Sequence, residues 1–253
     1  MKILAINGSH RGRKGCTQFL LERIVEGALS VGAEFEAVAL AELKINACLA
    51  CDVCCKPATL GHCVFEEKDD VKSVFDRMKA ADVVIYATPA YVFNMTGLMK
   101  TFLDRLNSTG TGTGLCLSDS GLIFHPIDRQ VTGKPMVILT LCANIEPDTL
   151  KNIVSYFQTY AKFVDAPVAG TLARTMAPQL MEDHSAKAAQ EVLAAFVQAG
   201  RELAMNKKID RSTEKTASRS TLGIPFLNLL LRLRGFKKRM IEQVNREKSG
   251  QTR

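Results

Sequence analysis

The sequence has no apolar run long enough to cross a membrane. The longest, Gly223 to Leu231, contains Pro225 and Asn228 and is far shorter than the roughly 18 residues that a span needs. A secretory leader is also missing from view. Met1-Lys2-Ile3-Leu4-Ala5-Ile6-Asn7 runs straight into a glycine turn, and its apolar part is too short for a leader core. The expected address is cytoplasmic. There is no internal repeat, and aromatics are few, 6% of residues with no tryptophan. Net charge is nearly absent from most of the chain. Residues 206–253 carry thirteen Lys/Arg and four Asp/Glu, or +9, which leaves −2 of the overall +7 for residues 1–205. A basic total of this kind is no argument for nucleic-acid binding, and no nucleic-acid partner is expected.

The 253 residues, 47% of them hydrophobic, suffice for one well-buried domain with a tail. Strands are expected at 2–6, 34–40, 82–87, 135–141 and 168–172, each a short apolar run. A helix is expected at 16–31, where Phe19, Leu20, Ile24, Ala28 and Val31 share a face and Gly32 is the stop. Others should start at Asp69 or Asp70 as cap, span 97–106, open at Glu146-Pro147, and run as one long amphipathic helix over 182–205. This alternation implies an α/β fold, a doubly wound five-stranded parallel sheet of order 2-1-3-4-5. Its ligand would lie beyond the C-terminal ends of the strands, at the switch point. The expected limits are 1–205 for the domain and 206–253 for a basic C-terminal linker with an amphipathic helix.

The first loop, Gly8-Ser9-His10-Arg11-Gly12-Arg13-Lys14-Gly15, joins a strand to a helix. Helix N-termini offer free N–H groups and a positive dipole end, glycines admit close approach, and Ser9, Thr17, Arg11, Arg13 and Lys14 add donors. A phosphate cradle and a merely solvated loop are both compatible with these residues. The spacing matches neither the P-loop nor the GxGxxG pattern, which disfavours a nucleoside triphosphatase and a dinucleotide site.

Asn7-Gly8-Ser9-His10-Arg11 with Cys16-Thr17 resembles the phosphate loop of the NAD(P)H-dependent FMN reductase and iron–sulfur flavoprotein group, a branch of the flavodoxin-like superfamily. His10 stands where that group usually has proline, and Cys16 where it often has asparagine. A second string, Thr88 to Arg105, resembles the group's segment after the third strand almost throughout. The resemblance covers residues 1 to about 205 and not the tail. It implies a flavodoxin-like fold and FMN held by Ser9, Arg11, Gly15, Cys16, Thr17 and Gln18 at the phosphate. Thr88, Pro89, Ala90, Tyr91, Phe93 and Asn94 would lie at the ring, and Cys142, Ala143 and Asn144 after the next strand. Tyr91 and Phe93 can offer surface to a planar ring, and core packing is the competing use. Lys100, Asp104 and Arg105 read as structural or interfacial.

Five of the eight cysteines lie between Cys48 and Cys63. In a cytosolic chain such a cluster points to metal or redox chemistry before disulfides. Cys48, Cys51 and Cys54 at two-residue intervals, with Cys63 more distant, can wrap a cubane cluster. The segment is similar to that of the iron–sulfur flavoproteins, which implies a [4Fe–4S] cluster beside FMN. The gap before Cys63 is longer than is usual there, and Cys55 can replace Cys54. Zinc, with His62 as a further donor, and no metal at all remain open. Cys16, Cys116 and Cys142 read as packing residues.

Residues 108–134 are too long for an ordinary connection and should form a lid or be disordered, with His125 and Asp128 within them. From Thr221 to Val244 leucines alternate with Arg232, Arg234, Lys237, Lys238 and Arg239, as in a helix for a membrane surface or one docked on the domain or a second subunit. The functional expectation is an FMN-dependent oxidoreductase without a catalytic side chain. It would take electrons from NAD(P)H or a ferredoxin-like donor and pass them to a quinone, a flavin or another small acceptor. A homodimer or homotetramer is expected. The alternative is a non-enzymatic flavodoxin-type electron carrier.

Overall fold

Short apolar runs next to glycine and proline become strands here, and the computed structural model describes them within residues 1–222, 224 and 227–248. In chain order the elements are β1 (Lys2–Asn7), α1 (Cys16–Leu29), β2 (Glu34–Ala39), α2 (Val71–Ala80), β3 (Val83–Pro89) and α3 (Gly97–Asp104). Then follow β4 (Cys116–Leu117), β5 (Ile123–Phe124), α4 (Arg129–Thr132), β6 (Met136–Leu141), α5 (Lys151–Phe163) and β7 (Val168–Arg174). The chain closes with α6 (Ala177–Glu182), α7 (Lys187–Asn206), α8 (Arg211–Ser218), α9 (Leu227–Leu230) and α10 (Arg234–Lys248). Five strands form a parallel sheet of order β2-β1-β3-β6-β7, the expected flavodoxin-like topology. Chain direction along the sheet reverses at β1, so the loops after β1 and β3 open the switch-point crevice.

Strand periodicity divides the core into two layers. Ile3, Ala5, Val83, Ile85, Val137 and Leu139 face α1 and α7, while Leu4, Ile6, Val84, Tyr86 and Ile138 face α2, α3 and α5. Helices α1 and α7 cross at two glycines. A Cβ on Gly27 would fall 1.8 Å from the Val197 carbonyl oxygen, and one on Gly200 would fall 2.0 Å from that of Ile24. No side chain fits at that crossing.

Several expectations need correction. The long helix expected over 182–205 is present as α7 but starts only at Lys187, because the Asp183 carboxylate accepts from the Ser185 amide (2.9 Å) and hydroxyl (2.7 Å) and turns the chain between the short α6 and α7. Asp70 stands at the start of α2, but its carboxylate accepts from the Lys44 amide (2.8 Å), and Asp69 meets the Val71 amide (3.3 Å). Residues 108–134 are neither lid nor disordered. They build the β4–β5 hairpin and α4, held by the Asp119 amide on the Asp165 carboxylate (2.8 Å) and by Phe124 against Phe163. Asp165 precedes β7, so the hairpin lies at the N-terminal end of the sheet, about 20 Å from the strands' C-terminal ends. Asp128 caps α4 and pairs with Lys79 at 3.0 Å. His125 is exposed there.

The domain limit expected at residue 205 also moves. Beyond α7 the chain covers the free edge of β7. The Ile209 amide donates to the Ala169 carbonyl (2.7 Å), Glu214 accepts from the Thr171 amide (2.7 Å), and Ser218 from the Ala173 amide (3.3 Å). Ile209 fills the space a Gly170 side chain would take, and Ala217 is fully buried. Arg174, wholly buried, donates to the Arg219 carbonyl and to Thr221 Oγ1 (3.2 Å). The linker reading therefore fails up to residue 221, because an open strand edge needs partners for its amides. Gly223, Pro225 and Phe226, which fall in the expected tail helix, lie outside the described residues.

Candidate functional site

The loop after β1 folds around Asn7, whose side chain is completely buried. Its Oδ1 accepts from the Ser9 amide (3.0 Å), and its Nδ2 donates to the Gly12 carbonyl (3.2 Å) and to Gln18 Oε1 (3.3 Å). Ser9 is buried and its hydroxyl oxygen accepts from the Arg11 amide (3.2 Å). Gly15 is the N-cap of α1, and no side chain caps that end. A Cβ on Gly15 would stand 3.2 Å from Ser9 Oγ and 3.1 Å from Arg11 Cβ, so glycine keeps the cradle open. Thr17 is buried in the first turn, and the turn holds no acidic residue. Arg13 is bound to Glu42 at 3.0 Å. Arg11 is exposed and forms no ion pair among the described residues. Burial raises the Cys16 thiol, while its own backbone contact and the Arg11 charge oppose the rise. An uncapped helix end, a side-chain-free cradle and one unengaged guanidinium fit a phosphate.

The loop after β3 is bolted to the first. Gly8 donates its amide to the Ala87 carbonyl (2.8 Å), and the Thr96 hydroxyl donates to the Gly8 carbonyl (2.6 Å) while accepting from the Met99 amide (3.1 Å). Thr96 was not among the expected site residues, nor was Asn7. The Thr-x-x-Met step into α3 is the signal that could have marked Thr96 as a cap. Thr88 is used internally: its hydroxyl oxygen accepts from the Thr96 amide (3.2 Å) and its proton goes to the Pro89 carbonyl (3.2 Å). Between them Tyr91 and Asn94 exchange backbone bonds of 2.8 and 3.2 Å around Val92 and Phe93, both left-handed (φ 47° and 63°). This tight turn lifts Tyr91, Val92 and Phe93 into the open. Tyr91 stacks on His10, with ring centroids 5.7 Å apart. Asn94 turns back, its Oδ1 accepting from the Met95 amide (2.8 Å).

The third loop joins through Ala90, whose amide donates to the Leu141 carbonyl at 2.7 Å. Cys142 is buried and its thiol donates to the Asn144 carbonyl (3.3 Å), while Ala143 and Asn144 are exposed. Burial pushes the Cys142 thiol up, so it stays protonated and serves packing. Asn144 Oδ1 accepts from the Glu146 amide (3.1 Å). The three expected loops thus lie together at the C-terminal ends of β1, β3 and β6.

The cysteine segment leaves the end of β2, next to the first loop. Ala50 and Asp52 are left-handed (φ 49° and 55°) and curl it. Cys48, Cys51, Cys54, Cys55 and Cys63 line one small pocket with Phe65 and Asn107. Cys54 and Cys55 Sγ are 4.0 Å apart. Burial first, then the neighbouring Cys55 and Cys63 sulfurs, push the Cys54 thiol up to about 11. Among the described residues no three His, Cys, Asp or Glu stand close enough to form a ready metal-ligand set. The donor chemistry suits iron or zinc; the thiols share a pocket but not yet a coordination sphere. A buried ion pair fastens this segment to α3. Arg105 binds Asp69 and the Asn46 carbonyl (3.0 Å), and the Asn46 amide donates to Asp69 (3.0 Å). Arg105 is thus structural.

Residues 1–146 match the model of the NADPH-dependent FMN reductase family. The chain belongs to that family. Among curated proteins, an iron–sulfur flavoprotein of Archaeoglobus fulgidus is 42% identical over 105 residues, 42% of this chain and 48% of the relative. One from Methanocaldococcus jannaschii is 37% identical over 105 residues, 42% of this chain and 50% of the relative. The matched part of this FMN reductase family member spans about half the length of those relatives. Its fold is shared with a flavone reductase (TM-score 0.57, 20% identity, 82% of this chain and 64% of that one). It is also shared with an FMN-dependent NADH-azoreductase of Bacillus anthracis (TM-score 0.56, 14% identity, 80% and 99%). Among the described residues no helix is long and apolar enough to cross a membrane.

Proposed function

We propose that this family member binds one FMN across the three loops and works as an FMN-dependent oxidoreductase. The observation that carries the proposal is the uncapped N-terminus of α1, joined through Thr96 and Gly8 to the exposed Tyr91–Asn94 turn. The Gly15, Cys16, Thr17 and Gln18 backbone, the Ser9 and Thr17 hydroxyls and the Arg11 guanidinium would hold the phosphate. Tyr91 and Phe93 would cover apolar ring surface, Pro89 and Ala90 would bound it, and Ala143 and Asn144 would meet its far edge. Thr88, Asn94 and Cys142 hold loop shape through their own hydrogen bonds and would act on the ring only through backbone and position. Bound FMN supplies the redox chemistry, taking up a hydride or single electrons. The protein orients it and limits water.

The donor we propose is NAD(P)H or a ferredoxin-like protein, and the acceptor a quinone, a flavin or another small molecule. A homodimer or homotetramer is the proposed assembly. Cys48, Cys51, Cys54 and Cys63 would hold a [4Fe–4S] cluster, with Cys55 beside Cys54 as the alternative ligand. The support is the five thiols around one pocket. Heat-released cofactor should run as FMN on chromatography. FAD, or an apoprotein without flavin affinity, would end the proposal. Anaerobic protein should carry iron and sulfide, and each Cys→Ser variant at the four positions should lose both while keeping FMN. Flavin without iron would leave a flavin-only reductase. Reduction by a protein donor with no turnover of small acceptors would favour the electron-carrier alternative.

A further inference from the structure

The FMN reading makes no use of the last described segment, α9 and α10. Leu227 and Leu231 are buried. On the other side Leu229 and Leu233 are 59% and 56% exposed, and on α10 Ile241 is 55% exposed, with Val244 at 42%. Cations stand among them: Arg232, Arg234, Lys238 and Arg239 are all exposed. Arg234, Lys238 and Ile241 follow at spacings of four and three, so charge flanks the apolar residues on one helix face. Lys237 is bound to Glu146 at 2.5 Å. That contact places α10 beside the loop after β6, at the C-terminal end of the sheet.

We propose that α9 and α10 form a docking surface for an anionic lipid bilayer. The segment would lie flat, with Leu229, Leu233, Ile241 and Val244 at the boundary of headgroups and acyl chains and the four cations on lipid phosphates. Charge complementarity selects this partner. Residues 222–253 carry eight Lys/Arg and two Glu, or +6, against +1 for the rest of the chain, so attraction to an anionic surface is concentrated where the exposed apolar residues are. A second copy would have to bring together two helices that each hold six Lys/Arg and two Glu, and like charges oppose that. Nucleic acid would meet the cations but leave the aliphatic residues in water. The segment lies on the membrane without spanning it.

The test mixes the full-length protein with sedimentable vesicles of phosphatidylcholine, with or without phosphatidylglycerol. Partition onto phosphatidylglycerol vesicles should exceed that onto phosphatidylcholine at least tenfold and fall with added salt. The triple variant Arg234→Gln, Lys238→Gln, Arg239→Gln should lose at least tenfold. The double variant Leu233→Ser, Ile241→Ser should also bind more weakly, and what remains should wash off in salt. All five altered sites in the two variants are exposed, so circular dichroism should be unchanged. Equal partition onto both vesicles, no partition, or variants that bind like wild type would overturn the proposal. So would binding of single-stranded DNA without vesicle binding, or a dimer that only the apolar variant abolishes. Flavin content is read separately, and its absence would count against the FMN reading without touching this one.

Discussion

Replacing Thr96 by valine keeps the shape of a fully buried side chain and removes one hydroxyl. Two bonds go with it. The Met99 amide loses its cap, which costs about 1 kcal/mol. The Gly8 carbonyl loses a 2.6 Å donor in a buried setting, which costs about 1–3 kcal/mol. The expected loss is therefore about 2–4 kcal/mol, or a fall in melting temperature of roughly 4–16 °C for a chain of this size. Urea or thermal unfolding followed by circular dichroism measures it. Thr96→Ser keeps the hydroxyl and should restore most of the loss. Because Gly8 adjoins Ser9, the valine variant should also release flavin more readily. A valine variant as stable as wild type would refute the brace, and one destabilised equally by serine and valine would show that the methyl group, not the hydroxyl, matters.

Other outcomes follow from the packing and charge already described. Gly200→Ala should lower stability by about 1–3 kcal/mol or more, because a backbone oxygen occupies the space of the new methyl group; unchanged denaturant midpoints would contradict the crossing. Burial tends to raise the Asp69 carboxyl, but the Arg105 hydrogen bond and the Asn46 and Val71 amides outweigh it and hold it below the usual range. Its stabilisation is therefore full above the unfolded value near about 3.9 and is lost as pH falls through the lower folded value. Unfolding free energies measured down this range should decline in wild type and lose that component in Asp69→Asn, which should also be less stable at neutral pH because Arg105 is left unpaired. Removal of residues 207–253 should expose the β7 edge and give a less stable, aggregating protein by light scattering, whereas removal after residue 222 should not.

The fold was legible because β1, β3 and β6 are short apolar runs buried on both faces and the helices packed on them keep an apolar stripe. The order β2-β1-β3-β6-β7 follows from that alternation. The loops at the switch point were legible from glycine and hydroxyl chemistry beside Arg11 and Thr17, helped by resemblance. Thr96 and Asn7 were missed because their work is long-range or internal to a loop. Thr96 meets Gly8 across 88 residues, and no local period encodes that. The late start of α7 at Lys187 escaped because the Asp183–x–Ser185 turn before it carries no glycine or proline. The tail misled for another reason. A polar stretch between Lys207 and Ser220 looks like a linker, yet Glu214, Ser218 and Thr221 are polar because they serve the amides of β7 and the buried Arg174.

The seal on β7 gives the chain a timetable. Strand β7 is synthesised before the residues that close it, and its outward amides stay open while the ribosome adds the 35 residues from Arg174 to Ile209, a few seconds at about 5–20 residues per second. During that interval the nascent sheet has a receptive rim, and any extended neighbour, including another nascent copy, can occupy it. Closing the rim needs Arg174 to surrender its hydration to the end of α8, so the last native contacts are also among the hardest to imitate. Birth of a well-behaved molecule therefore depends on how promptly residues 207–221 leave the ribosome tunnel.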